Sequence, residues 1–329
     1  MEISILKPGI QTTVQDLGRN TFLAMAVPLS GVMDNLSARI ANIAIGNDDN
    51  AAVLEFTYAA AEFKAETDIL IAYAGEGAFL LCAGLRLPAE RPLFIPEGET
   101  IKLINNPDGA LTYLAIAGGF NIPEVLGSKS TYLIAGFGGY NGRSLRAGDS
   151  LKNQDNLGKL SQNISHSLKG IQPAWPAWYI PRSIMLPAER KTIRIFPGEE
   201  FTWFNSESII NFLTRDFKVG LNSNRMGYHL SGNKIARRRN DELLSTAVYP
   251  GTIQVTGNGD AILLMADAQT TGGYPRIGQV AAVDLPLCAQ LKPNDRICFT
   301  EISRDTAEML YIEREKQLSD FKHSINCRF

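Results

Sequence analysis

The sequence predicts a mainly β protein made of two related β domains with a few short helices. Two observations carry that expectation: short apolar runs of strand length, punctuated almost everywhere by glycine or proline, and an internal repeat in consistent order. The length agrees, since 329 residues suffice for two ordinary domains with real cores.

Strand signals fall at 2–6, 53–57, 68–74, 78–82, 100–104 and 111–117, then again at 192–196, 252–255, 261–266 and 296–301. Their spacing suits sandwiches or barrels. The run at 261–266 is short and apolar and follows Gly257-Asn-Gly-Asp260, so it reads as a buried strand. Residues 34–45, DNLSARIANIAI, form the clearest helix outside the tail. Asp34 suits the N-cap, Leu36, Ile40, Ile43 and Ala44 make an apolar face, and Gly46 ends it. Residues 304–321 are charged, with Ala307, Leu310, Tyr311 and Leu318 at helical spacing, which predicts a surface or docking helix.

The repeat joins the two series. Ile3-Ser-Ile-Leu-Lys-Pro-Gly9 recurs as Ile193-Arg-Ile-Phe-Pro-Gly198, and each is followed by Ser-x-x-Met, at Ser30–Met33 and Ser223–Met226. Later, Pro92-Leu93 and Pro286-Leu287 each precede a turn and a strand. The period is too long for a solenoid and points to two domains. The expected division is 1–150, a linker or surface excursion at 151–190, 191–303, and a helical tail at 304–329. Trp175, Trp178 and Tyr179, set among prolines, are read as capping a core rather than binding a ligand.

Composition narrows the function classes. A net charge of −2 argues against non-specific nucleic-acid binding. No apolar run is long enough to span a membrane, and the N-terminus lacks the basic-then-apolar pattern of a signal peptide. Cys82, Cys288, Cys298 and Cys327 form no CxxC, and His166, His229 and His323 are far apart, so no metal site is expected. A reduced, cytoplasmic protein is the expectation.

Several stretches could carry chemistry. "MADAQTTGGYPRIGQV" at 265–280 sets Thr270 and Thr271 before Gly272, Gly273 and a Tyr274-Pro pair. The hydroxyls and the close approach that glycine permits suit a binding loop, and a plain turn is the alternative. In Ser223–His229, Arg225 could pair with a carboxylate or phosphate, with Asn224 and Tyr228 beside it. Gly127-Ser-Lys-Ser-Thr131 is not a P-loop, because Ser128 separates the glycine from Lys129; the lysine could still meet an anion or simply be solvated. The glycine-rich stretch ending in Arg143 reads as either an anion nest or mobile turns. Asp34, Arg39 and Asn42 complete the polar candidates, Asp34 first as a cap. There is no GxSxG and no HExxH, and the catalytic residue is open.

The blocks "KPGIQTTVQDLGR" (7–19), "VPLSGVMDNLSARIAN" (27–42), "LGSKST" (126–131), "SNRMGYHL" (223–230) and "ADAQTTGGYPRIG" (266–278) together resemble the allophanate hydrolase subunit 2 family. Its members are also described as the C component of 5-oxoprolinase, as antagonists of a sporulation kinase inhibitor, and as half of a biotin-dependent carboxyltransferase domain. The resemblance implies two tandem cyclophilin-like β-barrel subdomains. It also implies an allophanate hydrolase subunit 1-like partner, the B component of 5-oxoprolinase, and a third oxoprolinase subunit. Without these partners the chain would be inactive. The implied reaction opens 5-oxoproline to glutamate with ATP and Mg2+. The alternatives are carboxyl transfer from biotin on a separate carrier, since no Met-Lys-Met occurs here, and a non-enzymatic regulator that binds a kinase inhibitor.

On that resemblance Asn224, Arg225, Tyr228, Gln269, Thr270, Thr271, Gly272, Gly273 and Tyr274 would bind substrate. Lys129 and Arg143 are the anion candidates. The sequence departs from the family at His229, where arginine is common, at Lys129, where the loop often has arginine, and at Thr256-Gly257, which replaces Pro-Pro.

Overall fold

The computed structural model describes residues 1–239 and 242–329. The chain forms two compact units, and they interleave along the sequence. The first holds residues 1–18, 34–185 and 316–329; the second holds 19–33 and 186–315. This differs from contiguous cuts after 150, 190 and 303. The segment 19–33 joins the second unit through bonds made far along the chain, among them Arg225 Nη2 donating to the Gly31 carbonyl at 2.5 Å.

In the first unit the strands are β1 (Glu2–Pro8), β2 (Gln11–Gln15), β3 (Val53–Thr57), β4 (Ala61–Ala65), β5 (Ile69–Gly75), β6 (Ala78–Cys82), β7 (Leu85–Arg86), β8 (Leu93–Ile95), β9 (Thr100–Asn105), β10 (Leu111–Ile116) and β11 (Ser150–Lys152). They make a six-stranded sheet, β11-β1-β4-β9-β6-β7, and a five-stranded sheet, β2-β3-β10-β5-β8. Ile3 and Ile5 from one sheet and Leu54, Ile71 and Leu114 from the other share one buried core. Burying each such side chain contributes roughly 1.5–3 kcal/mol. This unit is therefore hydrogen-bonded as two sheets over a common core.

Helix α1 (Asn35–Ala44) packs on β5 and β10. Asp34 caps it as expected, accepting from the Ser37 amide at 2.9 Å and the Ser37 hydroxyl at 2.7 Å. Residues 151–190 are more ordered than a linker: they contain α2 (Lys159–Leu168), and Ala174 exchanges backbone bonds with Phe94. Trp175 packs against the core.

The second unit holds β12 (Thr192–Pro197), β13 (Phe217–Val219), β14 (Gly227–Ser231), β15 (Thr246–Ala247), β16 (Thr252–Val255), β17 (Ala261–Leu264), β18 (Thr271–Gly272), β19 (Arg276–Val280) and β20 (Arg296–Glu301), with helices α3 (Ser206–Thr214) and α4 (Leu285–Ala289). Seven of these strands close a barrel in the order β12-β19-β16-β17-β14-β13-β20. Its core includes Phe212, Phe217 and Phe299, whose ring centroids lie 4.8–5.7 Å apart. Alternation along each strand sends Tyr228, Leu263 and Ile253 inward and His229, Ile262 and Gln254 outward. The repeated Ile-x-Ile segments become β1 and β12, so the motif marks the entry of each β unit. The tail forms α5 (Arg304–Arg328), longer than the periodicity alone suggested. Among the described residues no helix is long and apolar enough to cross a membrane.

Candidate functional site

The loop after β17 lies on the outer face of the barrel and is held at its start, middle and end. At the start, Asp267 is 3% exposed, and its carboxylate takes both Nε (2.8 Å) and Nη2 (3.1 Å) of Arg225. The same carboxylate accepts from the Ser30 hydroxyl at 2.8 Å. One side chain thus joins three of the blocks that carry the family resemblance.

In the middle stands Gln254, an outward residue of β16 that is nonetheless only 1% exposed, because the loop covers it. Its Nε2 donates to the Tyr274 carbonyl at 3.2 Å, and its Oε1 accepts from Gln269 at 3.5 Å. A Cβ on Gly272 would lie 2.5 Å from Gln254 Nε2. Glycine is needed there for close approach, as the sequence suggested. Thr271 and Gly272 also pair with Ala247 and Thr246 across β15–β18.

At the end, Arg276 forks onto Glu200, with Nε to Oε2 at 2.7 Å and Nη2 to Oε1 at 2.6 Å. Burial alone would raise the Glu200 carboxyl, but the bonds from Arg276 outweigh it and hold the group below its ordinary value. Between these anchors Gln269, Thr271, Gly273 and Tyr274 stay exposed, Thr270 and Gly272 are half-buried, and Tyr228 is buried in β14. Asn224 closes the preceding turn, its Oδ1 accepting from the Met226 amide at 2.8 Å.

Beside the loop runs an open groove of ≈ 750 Å³, lined in part by His229, Thr256, Asn258, Asp260 and Tyr274. That volume lies within the roughly 300–1,000 Å³ of small-molecule sites. Lys234 neutralises Asp260 at 2.6 Å. His229 and Thr256-Gly257, two of the departures from the family pattern, both line this groove.

The other candidates belong to the first unit and are committed to local partners. Ser128 and Ser130 both donate to Asp16 Oδ1 at 2.5 Å, and the Lys129 amide donates to Asp16 Oδ2 at 2.6 Å. The loop that resembles a phosphate binder is thus wrapped around a buried carboxylate, which would repel a phosphate. Of the Ser128–Lys129–Ser130 side chains, the Lys129 ammonium has no hydrogen-bond partner among the described residues. Arg143 forks onto Asp149 at 2.7 and 2.8 Å, and Arg39 binds Asp49 at 3.0 Å. Asn42 donates to the Ala51 carbonyl at 2.8 Å.

Asp34 does more than cap. Its Oδ2 accepts from Arg182 at 3.0 Å, while Arg182 also reaches Glu76 at 2.7 Å. Its amide donates to the Tyr113 hydroxyl, which donates to Glu55 at 2.8 Å. Burial, with Glu55 and Asp34 adding to it, pushes the Tyr113 hydroxyl well up, so it remains a proton donor. Among the described residues no group of three His, Cys, Asp or Glu side chains could hold a metal ion.

Reading along the chain missed Ser30, Gln254, Asp267, Arg276 and Glu200. Asp267 and Ser30 sit inside quoted blocks, and Gln254 is a polar residue within a buried strand; each was a usable signal. The class of protein defined here is a β-barrel domain that pins a hydroxyl- and glycine-bearing loop beside a groove of small-molecule size. The family described as carboxyltransferase domain, subdomain A and B, matches residues 25–301, and the chain belongs to it.

The chain is 37% identical to the C component of 5-oxoprolinase from Escherichia coli over 311 residues, covering 93% of each protein. It is 32% identical to the corresponding 5-oxoprolinase component of Haemophilus influenzae, over 98% of this chain and 99% of that one. The crystal structure of K. lactis urea amidolyase superposes with a TM-score of 0.86 at 29% identity, over 97% of this chain but only 20% of that much longer protein.

Proposed function

We propose that this chain is a subunit of an ATP-dependent 5-oxoprolinase that opens 5-oxoproline to glutamate. The observation that carries the reading is the 37% identity to a 5-oxoprolinase component over 93% of both chains. That relative is one subunit among several, which implies companions. Here they are an allophanate hydrolase subunit 1-like protein and a third subunit. A cytoplasmic setting fits the four free cysteines.

The chemistry asks for oriented dipoles more than for a nucleophile. Amide resonance protects a lactam carbonyl. Moving the γ-phosphoryl group of ATP to its oxygen, with ADP leaving, makes the carbon electrophilic. One water then adds and the C–N bond breaks to the free amine, and a second water releases phosphate and leaves the glutamate carboxylate. A site serving that step stabilises developing charge with preorganised donors. The exposed Gln269, Thr271 and Tyr274 side chains, and the backbone at Gly273, are the groups to meet the substrate, with the groove beside Tyr274 as its approach. Arg225 acts through Asp267 rather than on a substrate anion. The nucleotide phosphates and their Mg2+ are not assigned to the Ser128–Lys129–Ser130 loop, because its donors are committed to Asp16.

A second reading is carboxyl transfer from biotin on a separate carrier, favoured by the likeness to urea amidolyase. One experiment separates the two. The chain is co-purified with its candidate partner subunits, each is omitted in turn, and glutamate release from 5-oxoproline with ATP is measured. Release that vanishes when this chain is omitted supports the oxoprolinase reading. An intact complex that releases no glutamate, but moves the carboxyl group from a carboxybiotin-loaded carrier to urea and returns free biotin on the carrier, replaces it with the second.

A further inference from the structure

The Ser30–Gly31 turn is held in a backbone conformation that L residues avoid, and what holds it is the root of the candidate ligand loop. Ser30 has φ 55° and Gly31 φ 83°, so two consecutive residues are left-handed. Glycine accepts this freely, whereas the Cβ of a serine crowds its following carbonyl. Ser30 is only 2% exposed and donates its hydroxyl to Asp267, 237 positions along the chain. The Gly31 carbonyl accepts from the same Arg225 nitrogen that reaches Asp267. The Asp267 amide in turn donates to the Arg225 carbonyl at 2.8 Å. The turn, the arginine and the aspartate thus specify one another, and Asp267 stands two residues before Gln269.

We propose that Asp267 is a positioning residue and that the Ser30–Gly31 turn is a latch docked on it, setting the geometry of Gln269–Tyr274. This rests on the reading of that loop as the ligand contact. The physical reason is stored strain: a left-handed serine persists only where its surroundings over-determine it, and such residues gather at functional sites. Arg225 suits the task because its planar fork reaches the carboxylate with two nitrogens while one of them also holds a carbonyl; an ammonium has no such fork. A latch of this kind makes Ser30 and Gly31 part of the ligand site's machinery without requiring that they touch substrate.

Asp267→Asn would leave a half-buried guanidinium facing a neutral amide and risks unfolding the barrel, so the decisive variant is Ser30→Ala. It removes the hydroxyl's bond to Asp267 and keeps the charges. Hydrogen exchange is followed on the full chain, comparing loop amides at 269–274 with strand amides in β16 and β17. The expected result is exchange roughly five- to tenfold faster in the loop, the equivalent of one lost hydrogen bond, with the strands unchanged. In the assembled complex kcat/KM for 5-oxoproline falls by a similar factor. That loss shrinks when Thr271 is already valine, because both changes then act on one loop.

Loop exchange that stays at the wild-type rate, or that rises equally in the strands, overturns the latch, as do strictly additive effects of Ser30→Ala and Thr271→Val. The exchange measurement needs no activity. A wild-type complex without 5-oxoproline turnover therefore defeats the functional reading, while the latch is judged separately on exchange.

Discussion

Replacing Gly272 by alanine tests whether Gln254 pins the loop. The new Cβ would stand 2.5 Å from Gln254 Nε2, where ordinary contact begins near 3.4 Å. Gln254 is 1% exposed, its Nε2 bound to the Tyr274 carbonyl and its Oε1 to Gln269, so it has no solvent side to retreat to. Its carboxamide must move by almost 1 Å, breaking the 3.2 Å bond to Tyr274. A buried amide left unsatisfied costs roughly 1–3 kcal/mol, and crowding adds to it, so a loss of about 2 kcal/mol is expected. In calorimetry of the full chain that corresponds to a transition lower by roughly 4–8 °C. Gly273→Ala is the control: its Cβ would meet the Leu243 carbonyl at 3.2 Å and Ser245 Oγ at 3.7 Å, so that only a shift of a few tenths of an ångström is needed and no bond of Gln254 is touched. Equal melting temperatures for the two variants would refute the role given to Gln254, and with it the reason for a glycine at 272.

Arg182→Met should destabilise the first unit by roughly 3–5 kcal/mol, because it removes the buried cation that Asp34 and Glu76 share; denaturant titration that shows no loss would contradict this. Asp149 and Glu200 are both held below their ordinary carboxyl values, Asp149 by Arg143 and Glu200 by Arg276 against the effect of burial. A depressed folded-state pKa contributes stability that is fully present above the unfolded value and lost as pH falls through the folded one. Unfolding scans should therefore show stability falling below about pH 4.5, the ordinary value for Glu200, and Arg276→Gln should flatten part of that slope. Burial raises the Cys82 thiol to about 12, with Glu99 adding to the effect, and burial likewise pushes Cys288 well up, whereas Cys327 is exposed. A thiol reagent at pH 8 should label Cys327 first and reach Cys82 and Cys288 only after denaturation, as mass spectrometry of labelled peptides would show.

Much of the scaffold was legible because its causes are local. The ten strand signals all became strands, since apolar runs bounded by glycine and proline have few other ways to bury themselves. Helix α1 was equally plain: Asp34 caps Ser37 three residues on, and Gly46 ends the helix in a left-handed conformation at φ 76°. The position of the candidate loop after a buried strand could also be read directly.

The site itself depends on pairings that no short window contains. Arg225 looks the same in sequence whether its fork faces a substrate anion or Asp267, 42 residues later, and only the packing of β14 against β17 decides between them. Ser128 and Ser130 look like phosphate donors until the fold brings Asp16 to them across more than a hundred residues. Gln254 stands out in sequence as a polar residue in a buried strand, but its partners Gln269 and Tyr274 come to it only with the loop folded over it. The sequence by itself determined ten of the twenty strands among the described residues, the cap of α1 and the family, all of which rest on neighbours within a few residues or on the order of distinctive blocks along the chain. Which charges are free to act and which are consumed in holding the loop was decided only by tertiary structure, because an ion pair forms between groups close in space, whatever their distance along the chain.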